Sequence, residues 1–152
     1  MKKGGIIQEP NKILHKVSER ETNLAEAKKI TQELIEITKK IDRIWSFWLG
    51  MAAPQIGYNK RVIILKKSLF NYQIMINPKV LEQKWFFPIF SRCFSLQGIY
   101  FLRSHLWIKI RYQDLGGKYH AEVIKGGRAA TLEQELNHIN GILISDIGVK
   151  LI

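Results

Sequence analysis

Apolar residues recur at three- and four-residue steps at Leu24, Ala27, Ile30, Leu34, Ile37 and Ile41. That is the period of one helix face, and lysines and glutamates fill the solvated positions between. Asn23 stands just before the first apolar position and Glu26 three residues on, an N-cap signature. The pattern predicts a helix from about Leu24 to Ile44. Leu49-Gly50-Met51-Ala52-Ala53-Pro54-Gln55 then reads as a loop of small residues, closed by Ile56-Gly57. Arg61-Val62-Ile63-Ile64-Leu65 is a β-branched run and predicts a buried strand. Tyr72 to Ile76 predicts a second strand, ended by Asn77-Pro78, and Val80 to Trp85 a third. Leu106 to Tyr112 alternates, and Gln113 to Lys118 supplies a hairpin turn into Tyr119 to Ile124. Gly126-Gly127 interrupts that strand, and Ala129 to Asn140 predicts a helix closed by Gly141. The order helix, strands, helix predicts one α+β domain over residues 1–152.

Composition narrows the class. A chain of 152 residues suits one domain with a real core. With 46% hydrophobic and 24% charged residues it has globular rather than disordered composition. The single cysteine, Cys93, excludes an internal disulfide and fits a reducing compartment. Met1-Lys2-Lys3-Gly4-Gly5 is followed by only two apolar residues before Gln8, which is no signal-peptide core. The most apolar stretch, Ile44 to Ile56, contains Pro54 and is too short to cross a bilayer. A cytoplasmic protein without membrane attachment is expected. The net charge of +11 favours anionic surroundings such as ribosomal RNA or an acidic membrane surface, although ordinary solubility accounts for it equally well. No lysine cluster alternating with stacking aromatics is evident, so a plain RNA-binding module is not expected.

Candidate chemistry is concentrated on the last helix. Gln134 and His138 are four residues apart and Glu135 and His138 three apart, so all three project from one side. Two ligands at four-residue spacing with a glutamate after the first is the logic of His-Glu-x-x-His, but the first position here is Gln134. Taken alone, the pattern is more commonly a surface glutamate and a satisfied core histidine. Cys93 is either a thiolate ligand or a small buried hydrophobe. The Gly50–Gln55 loop either brings backbone and amide groups to a ligand or simply packs on the core.

The order of these three segments resembles the peptide deformylase family. Gly50-Met51-Ala52-Ala53-Pro54-Gln55 is similar to most of its Gly-x-Gly-x-Ala-Ala-x-Gln motif. Ser91-Arg92-Cys93-Phe94-Ser95 stands where the family has Glu-Gly-Cys-Leu-Ser. Glu133-Gln134-Glu135-Leu136-Asn137-His138 stands where it has Gln-His-Glu-x-Asp-His. Gln8 to Leu14, Ile76-Asn77-Pro78 and His138 to Leu143 extend the resemblance over nearly the whole chain.

That resemblance implies a deformylase-like fold, with a central motif-bearing helix surrounded by antiparallel sheets. It also implies a monomer acting on N-formyl-methionyl peptides or nascent chains, and the basic surface suits docking near the ribosome. In the family a divalent metal, often Fe2+ and replaceable by Zn2+ or Ni2+, activates water to release formate. By position, Cys93, His138 and Gln134 would be the ligands, and Glu135 the general base and then acid. Gln55 and the Phe94 backbone N–H would stabilise the oxyanion. Trp48, Leu49, Gly50 and Arg92 would border the substrate.

The departures fall on functional positions. Gln134 replaces a histidine ligand, and a neutral amide is a weak partner for such a metal. Trp48 and Arg92 replace glycines, and Ser91 replaces a glutamate that in the family pairs with an arginine, whose counterpart here is Arg103 after a one-residue gap. Glu133 replaces a glutamine. The sequence therefore predicts a degenerate homologue that binds metal weakly or not at all, has little or no deformylase activity and keeps a peptide-binding pocket. The alternative is an active enzyme using a Cys93/Gln134/His138 site.

Overall fold

The computed structural model describes residues 2–42 and 48–152. The chain opens with β1 (Lys2–Lys3) and β2 (Ile6–Ile7), an antiparallel pair, and a 3-10 turn over Lys12–His15. Helix α1 (Leu24–Ile41) follows. Then come β3 (Gly50–Ala52), a 3-10 turn over Ala53–Ile56, β4 (Val62–Lys66), β5 (Tyr72–Ser91), β6 (Tyr100–Gln113) and β7 (Tyr119–Lys125). Helix α2 (Gly127–Ile139), the short α3 (Ile144–Ile147) and β8 (Val149–Lys150) complete it. The main sheet runs β3-β4-β5-β6-β7, all antiparallel, with β8 paired to β6. This is an α+β architecture, as expected.

Helix α1 begins where its N-cap requires. The Asn23 side chain accepts from the N–H groups of Ala25 and Glu26 at 3.0 and 3.2 Å. The Asn23 N–H in turn donates to the Glu21 carboxylate at 2.9 Å. The helix stops at Ile41 because Asp42 turns extended, and its carboxylate is drawn to Lys66 at 2.6 Å and to the Tyr72 hydroxyl. Arg43 and Ile44, the last residues of the predicted helix, lie outside the described residues.

Two apolar layers sandwich the sheet. Val62 and Ile64 of β4 join Ala27, Ile30 and Leu34 of α1 in one core cluster. Ile63 and Leu65 face the other way and pack with Ile108, Ile110, Ala129, Leu132 and Leu136 against α2. A strand buried on both faces reads as a continuous apolar run, which explains Val62-Ile63-Ile64-Leu65. Each such fully buried side chain contributes roughly 1.5–3 kcal/mol by transfer from water.

The strands predicted at Tyr72–Ile76 and Val80–Trp85 are one strand, β5. Asn77-Pro78 does not end it. The register instead shifts between Ile76 and Lys79 and again between Val80 and Glu82, and Asn77 takes φ 51°. Asn77 tolerates that left-handed conformation because its side chain is tied down. It accepts from the Glu21 N–H at 2.8 Å and donates to the Glu21 carbonyl at 2.8 Å and to Gln113 at 2.9 Å. The shift lets β5 leave β4 and continue along β6 to Ser91, which partners Tyr100. The predicted start of β6 at Leu106 is correspondingly too late.

Candidate active site

Helix α2 lies under the sheet with Glu135 and His138 almost wholly buried, at 2% and 1% exposure. Gly141, with φ 73°, follows the helix and its N–H returns to the His138 carbonyl at 3.1 Å. A Cβ there would lie 2.7 Å from backbone atoms of His15, so glycine is required. Cys93 follows β5 in a turn closed by Leu96 N–H to the Cys93 carbonyl at 3.0 Å. The turn carries Cys93 Sγ to 3.3 Å from His138 Nε2.

Gln55 lies on the 3-10 turn after β3 and is 1% exposed. The Ala52 N–H donates to its side-chain oxygen at 3.0 Å, which fixes the amide orientation. Its Nε2 is thereby aimed at Ser95 Oγ, 3.2 Å away, and at Cys93 Sγ, 3.8 Å away. The small residues of this segment are required by close approach. A Cβ on Gly50 would lie 2.9 Å from Glu135 Cγ and 3.0 Å from the Ile64 carbonyl oxygen.

Gln134 is already engaged. Its Nε2 donates to the Arg92 carbonyl at 3.1 Å, and its Oε1 accepts from the Ser91 hydroxyl at 2.8 Å. A carbonyl only accepts, so it must face the NH2 group, and the oxygen is committed to Ser91. Arg103 does not pair with Ser91. It lies over the Phe86 ring at 5.0 Å and donates to the Phe86 carbonyl at 3.2 Å. Glu133 bonds Ser104 Oγ at 2.8 Å and His105 Nδ1 at 2.5 Å, pinning α2 to β6.

Burial sets the protonation of the central groups. It pushes the Glu135 carboxyl up to about 8 and the His138 imidazole down to about 4. Burial is also the main cause that raises the Cys93 thiol to about 12, and the Glu135 carboxylate adds to it. At neutral pH the pair is therefore a thiol beside a neutral imidazole, not a thiolate–imidazolium nucleophile.

The donor set does not fit a divalent metal well. Cys93 and His138 are placed to share an ion, but the Gln134 oxygen is held elsewhere. Among the described residues no group of three His, Cys, Asp or Glu side chains could hold a metal. His138 Nδ1 is buried without a partner among the described residues, whereas ligand imidazoles are usually oriented by a bond from that second nitrogen.

A cleft of about 440 Å³ opens beside these groups. Trp48, Leu49, Gly50, Phe94 and Arg92 line it, as the sequence suggested, together with Gln55, Gln134 and Glu135. Ile89, Phe90, Leu106 and Gly127 line it too and were not expected. Gly127 has the clearest role, because a Cβ there would lie 2.3 Å from the Trp48 ring. The Trp48 indole thus sits directly against a glycine on α2. The Gly126-Gly127 pair signalled a strand break, not this contact.

Known proteins agree with the architecture. The family model for polypeptide deformylase matches residues 4–150. The peptide deformylase of Desulforudis audaxviator is 28% identical over 147 residues, covering 93% of this chain and 90% of the relative. The crystal structure of peptide deformylase from Thermotoga maritima superposes with a TM-score of 0.85 at 26% identity, over 96% of this chain and 97% of that one. The Plasmodium falciparum peptide deformylase complex with inhibitor gives 0.83 at 27% identity, over 94% and 88%.

Proposed function

Since the chain belongs to the polypeptide deformylase family, we propose that it keeps the family's peptide cleft while its metal centre is impaired, so that it hydrolyses little or no N-formyl-methionyl substrate to formate and a free N-terminal amine. The observation that carries this reading is the clamp on Gln134, whose oxygen is bonded to Ser91 and whose NH2 is bonded to Arg92. Cys93 and His138 alone make a two-ligand site, which holds Fe2+, Zn2+ or Ni2+ weakly. The cleft itself favours a methionyl N-terminus, because Leu49, Phe90, Phe94 and Leu106 give it apolar walls beside a few polar groups.

The remaining roles follow the same geometry. Gln55 Nε2 points into the site as a hydrogen-bond donor for a carbonyl oxygen, alongside the Phe94 backbone N–H. Glu135, protonated at neutral pH, is the acid–base group beside the bound peptide. The chain acts as one domain and as a monomer in the cytoplasm, on nascent chains or peptides derived from them. No helix among the described residues is long and apolar enough to cross a membrane.

The test measures three quantities on the purified protein: metal per chain, formyl-methionyl peptide binding by calorimetry, and formate release. The expected result is peptide binding with substoichiometric metal and little formate. Stoichiometric metal with rapid formate release would establish the alternative, an active enzyme with a Cys93/Gln134/His138 site. Absence of peptide binding would remove the cleft from the reading altogether.

A further inference from the structure

The face of β6 opposite its buried side chains carries aromatic and basic side chains in alternation. On β6 the outward positions are Phe101, Arg103, Trp107, Lys109 and Arg111, with His105 among them but tied to Glu133 of α2, while Leu102, Ser104, Ile108, Ile110 and Tyr112 point into the core and are buried. The register sets Phe90 opposite Phe101, Phe86 opposite His105 and Lys84 opposite Trp107. On the other side, Lys125 stands opposite Trp107 and Tyr119 opposite Gln113.

Cross-strand contacts join these side chains. Phe90 and Phe101 rings lie 5.4 Å apart, and Phe86 and His105 rings 4.6 Å apart. Lys84 lies 4.5 Å over Trp107, Arg103 5.0 Å over Phe86, and Arg111 4.3 Å over Tyr119. Although aromatic, the face is open to solvent: Phe86 is 47% exposed, Phe101 40% and Tyr119 47%. Among the described residues, Lys84 alone of Lys84, Arg103, Lys109, Arg111 and Lys125 forms an ion pair with a carboxylate, that of Glu82 at 3.4 Å. A protein partner surface or a buried core would not concentrate unneutralised cations on exposed rings in this way. A polyanion with stackable bases satisfies both features at once: its phosphates meet the cations and its bases meet the rings.

We propose that this face, from Phe101 to Arg111 with its neighbours on β5 and β7, binds single-stranded RNA. The run from Phe101 to Arg111 is about 34 Å long at 3.4 Å per residue, enough for several nucleotides. Stacking and charge explain the single-stranded polynucleotide. The choice of RNA over DNA rests on the cleft reading above, since a nascent peptide is made on RNA. Phe90 lies on both the face and the cleft wall, so the two sites adjoin. The alternation occupies every second position of β6 and is completed by β5 and β7, so no contiguous run displays it.

The experiment is fluorescence anisotropy with a labelled 12-nucleotide RNA of mixed sequence, the same RNA as a duplex, DNA of the same sequence, and vesicles containing phosphatidylserine. Expected are micromolar or tighter binding to single-stranded RNA at low salt and at least tenfold weaker binding to the duplex, whose bases are not open for stacking. The F86A/F101A double variant removes exposed rings and keeps every charge, and it should bind at least tenfold more weakly. The R103Q/K109Q/R111Q variant should flatten the dependence of log affinity on log salt by about 2. Near-UV circular dichroism checks that both variants stay folded. No RNA binding at low salt, equal duplex affinity, or an unchanged F86A/F101A would overturn the proposal. Tighter binding to DNA than to RNA, or binding to vesicles alone, would reassign the partner and overturn it equally. Peptide binding in the cleft is measured separately, so loss of that reading leaves a distinct signature: RNA bound, peptide not.

Discussion

The Ser91 hydroxyl and the Gln134 carboxamide oxygen meet at 2.8 Å, joining the end of β5 to the middle of α2. In the family motifs these two positions hold a glutamate and a histidine. Here a short donor replaces the acid and an amide replaces the imidazole, and the new pair satisfy each other. The substitutions thus complement one another locally, while no described His, Cys, Asp or Glu completes a three-ligand set in place of the displaced histidine.

This relationship makes Gln134→His a direct test. The helix spacing already sets residue 134 on the His138 side, and an imidazole there would free the site from the Ser91 bond. Metal retained through dialysis, measured by elemental analysis, should rise from well below one per chain toward one. Formate release should recover only in part, because Ser91, Arg92 and Trp48 still differ from the family pattern. Wild-type protein that already holds one metal per chain would remove the basis of this prediction.

A second prediction concerns Gly50, whose Cα faces Glu135 Cγ, the Ile64 carbonyl and Leu65 Cδ2, all within 3.0 Å of where a Cβ would stand. The carbonyl belongs to a strand paired on both sides and cannot yield cheaply. Gly50→Ala should therefore cost about 1–3 kcal/mol, the usual range for overpacking. Urea unfolding of the variant measures it. A midpoint equal to that of the wild type would show that the segment adjusts without strain.

Much of this fold was legible because its signals are local. The Asn23 cap, the period of α1 and the doubly buried run Val62–Leu65 each follow from neighbouring residues. So does the α2 face that brings Glu135 and His138 together. What was not legible depends on register. Asn77-Pro78 reads as a strand end, yet tertiary bonds to Glu21 and Gln113 turn it into a bulge within β5. The place of Arg103 depends on register too: the alternation of β6 puts it over Phe86, away from Ser91. The Ser91–Gln134 bond and the Trp48–Gly127 contact link residues far apart in the chain, and neither has a signature in sequence.

The cleft itself supplies a third prediction. Trp48 lies on Gly127 and Arg92 borders the same opening, so both occupy volume that glycine would leave free. Trp48→Gly with Arg92→Gly should bind a formyl-methionyl tripeptide several-fold more tightly than the wild type in calorimetry. Gly127→Ala should act through the same contact, since the methyl group cannot coexist with the indole in its present place. Unchanged affinity in the double glycine variant would mean that neither side chain restricts entry.

The last prediction is a pH dependence of stability, with Glu135 as its source. Burial raises its folded-state value to about 8 from the ordinary 4.5, so the folded protein holds a proton there that the unfolded chain has released. Stability must then fall as pH rises between those values, and it levels off above 8. His138 works in the opposite sense. Its folded value is lowered to about 4 from 6.5, so stability rises with pH across that interval. The two effects offset each other below about pH 6.5, where their windows overlap. Between pH 6.5 and 8 Glu135 acts without that opposition, with a limiting slope of about 1.4 kcal/mol per pH unit. Cys93 does not interfere, because its shift from 9 to about 12 acts only above pH 9. Glu135→Gln keeps the shape and removes the proton equilibrium. The wild type should therefore lose stability to urea from pH 6.5 to 8 while the variant stays nearly level. Parallel curves for the two proteins would show that Glu135 is ionised in the folded state at neutral pH.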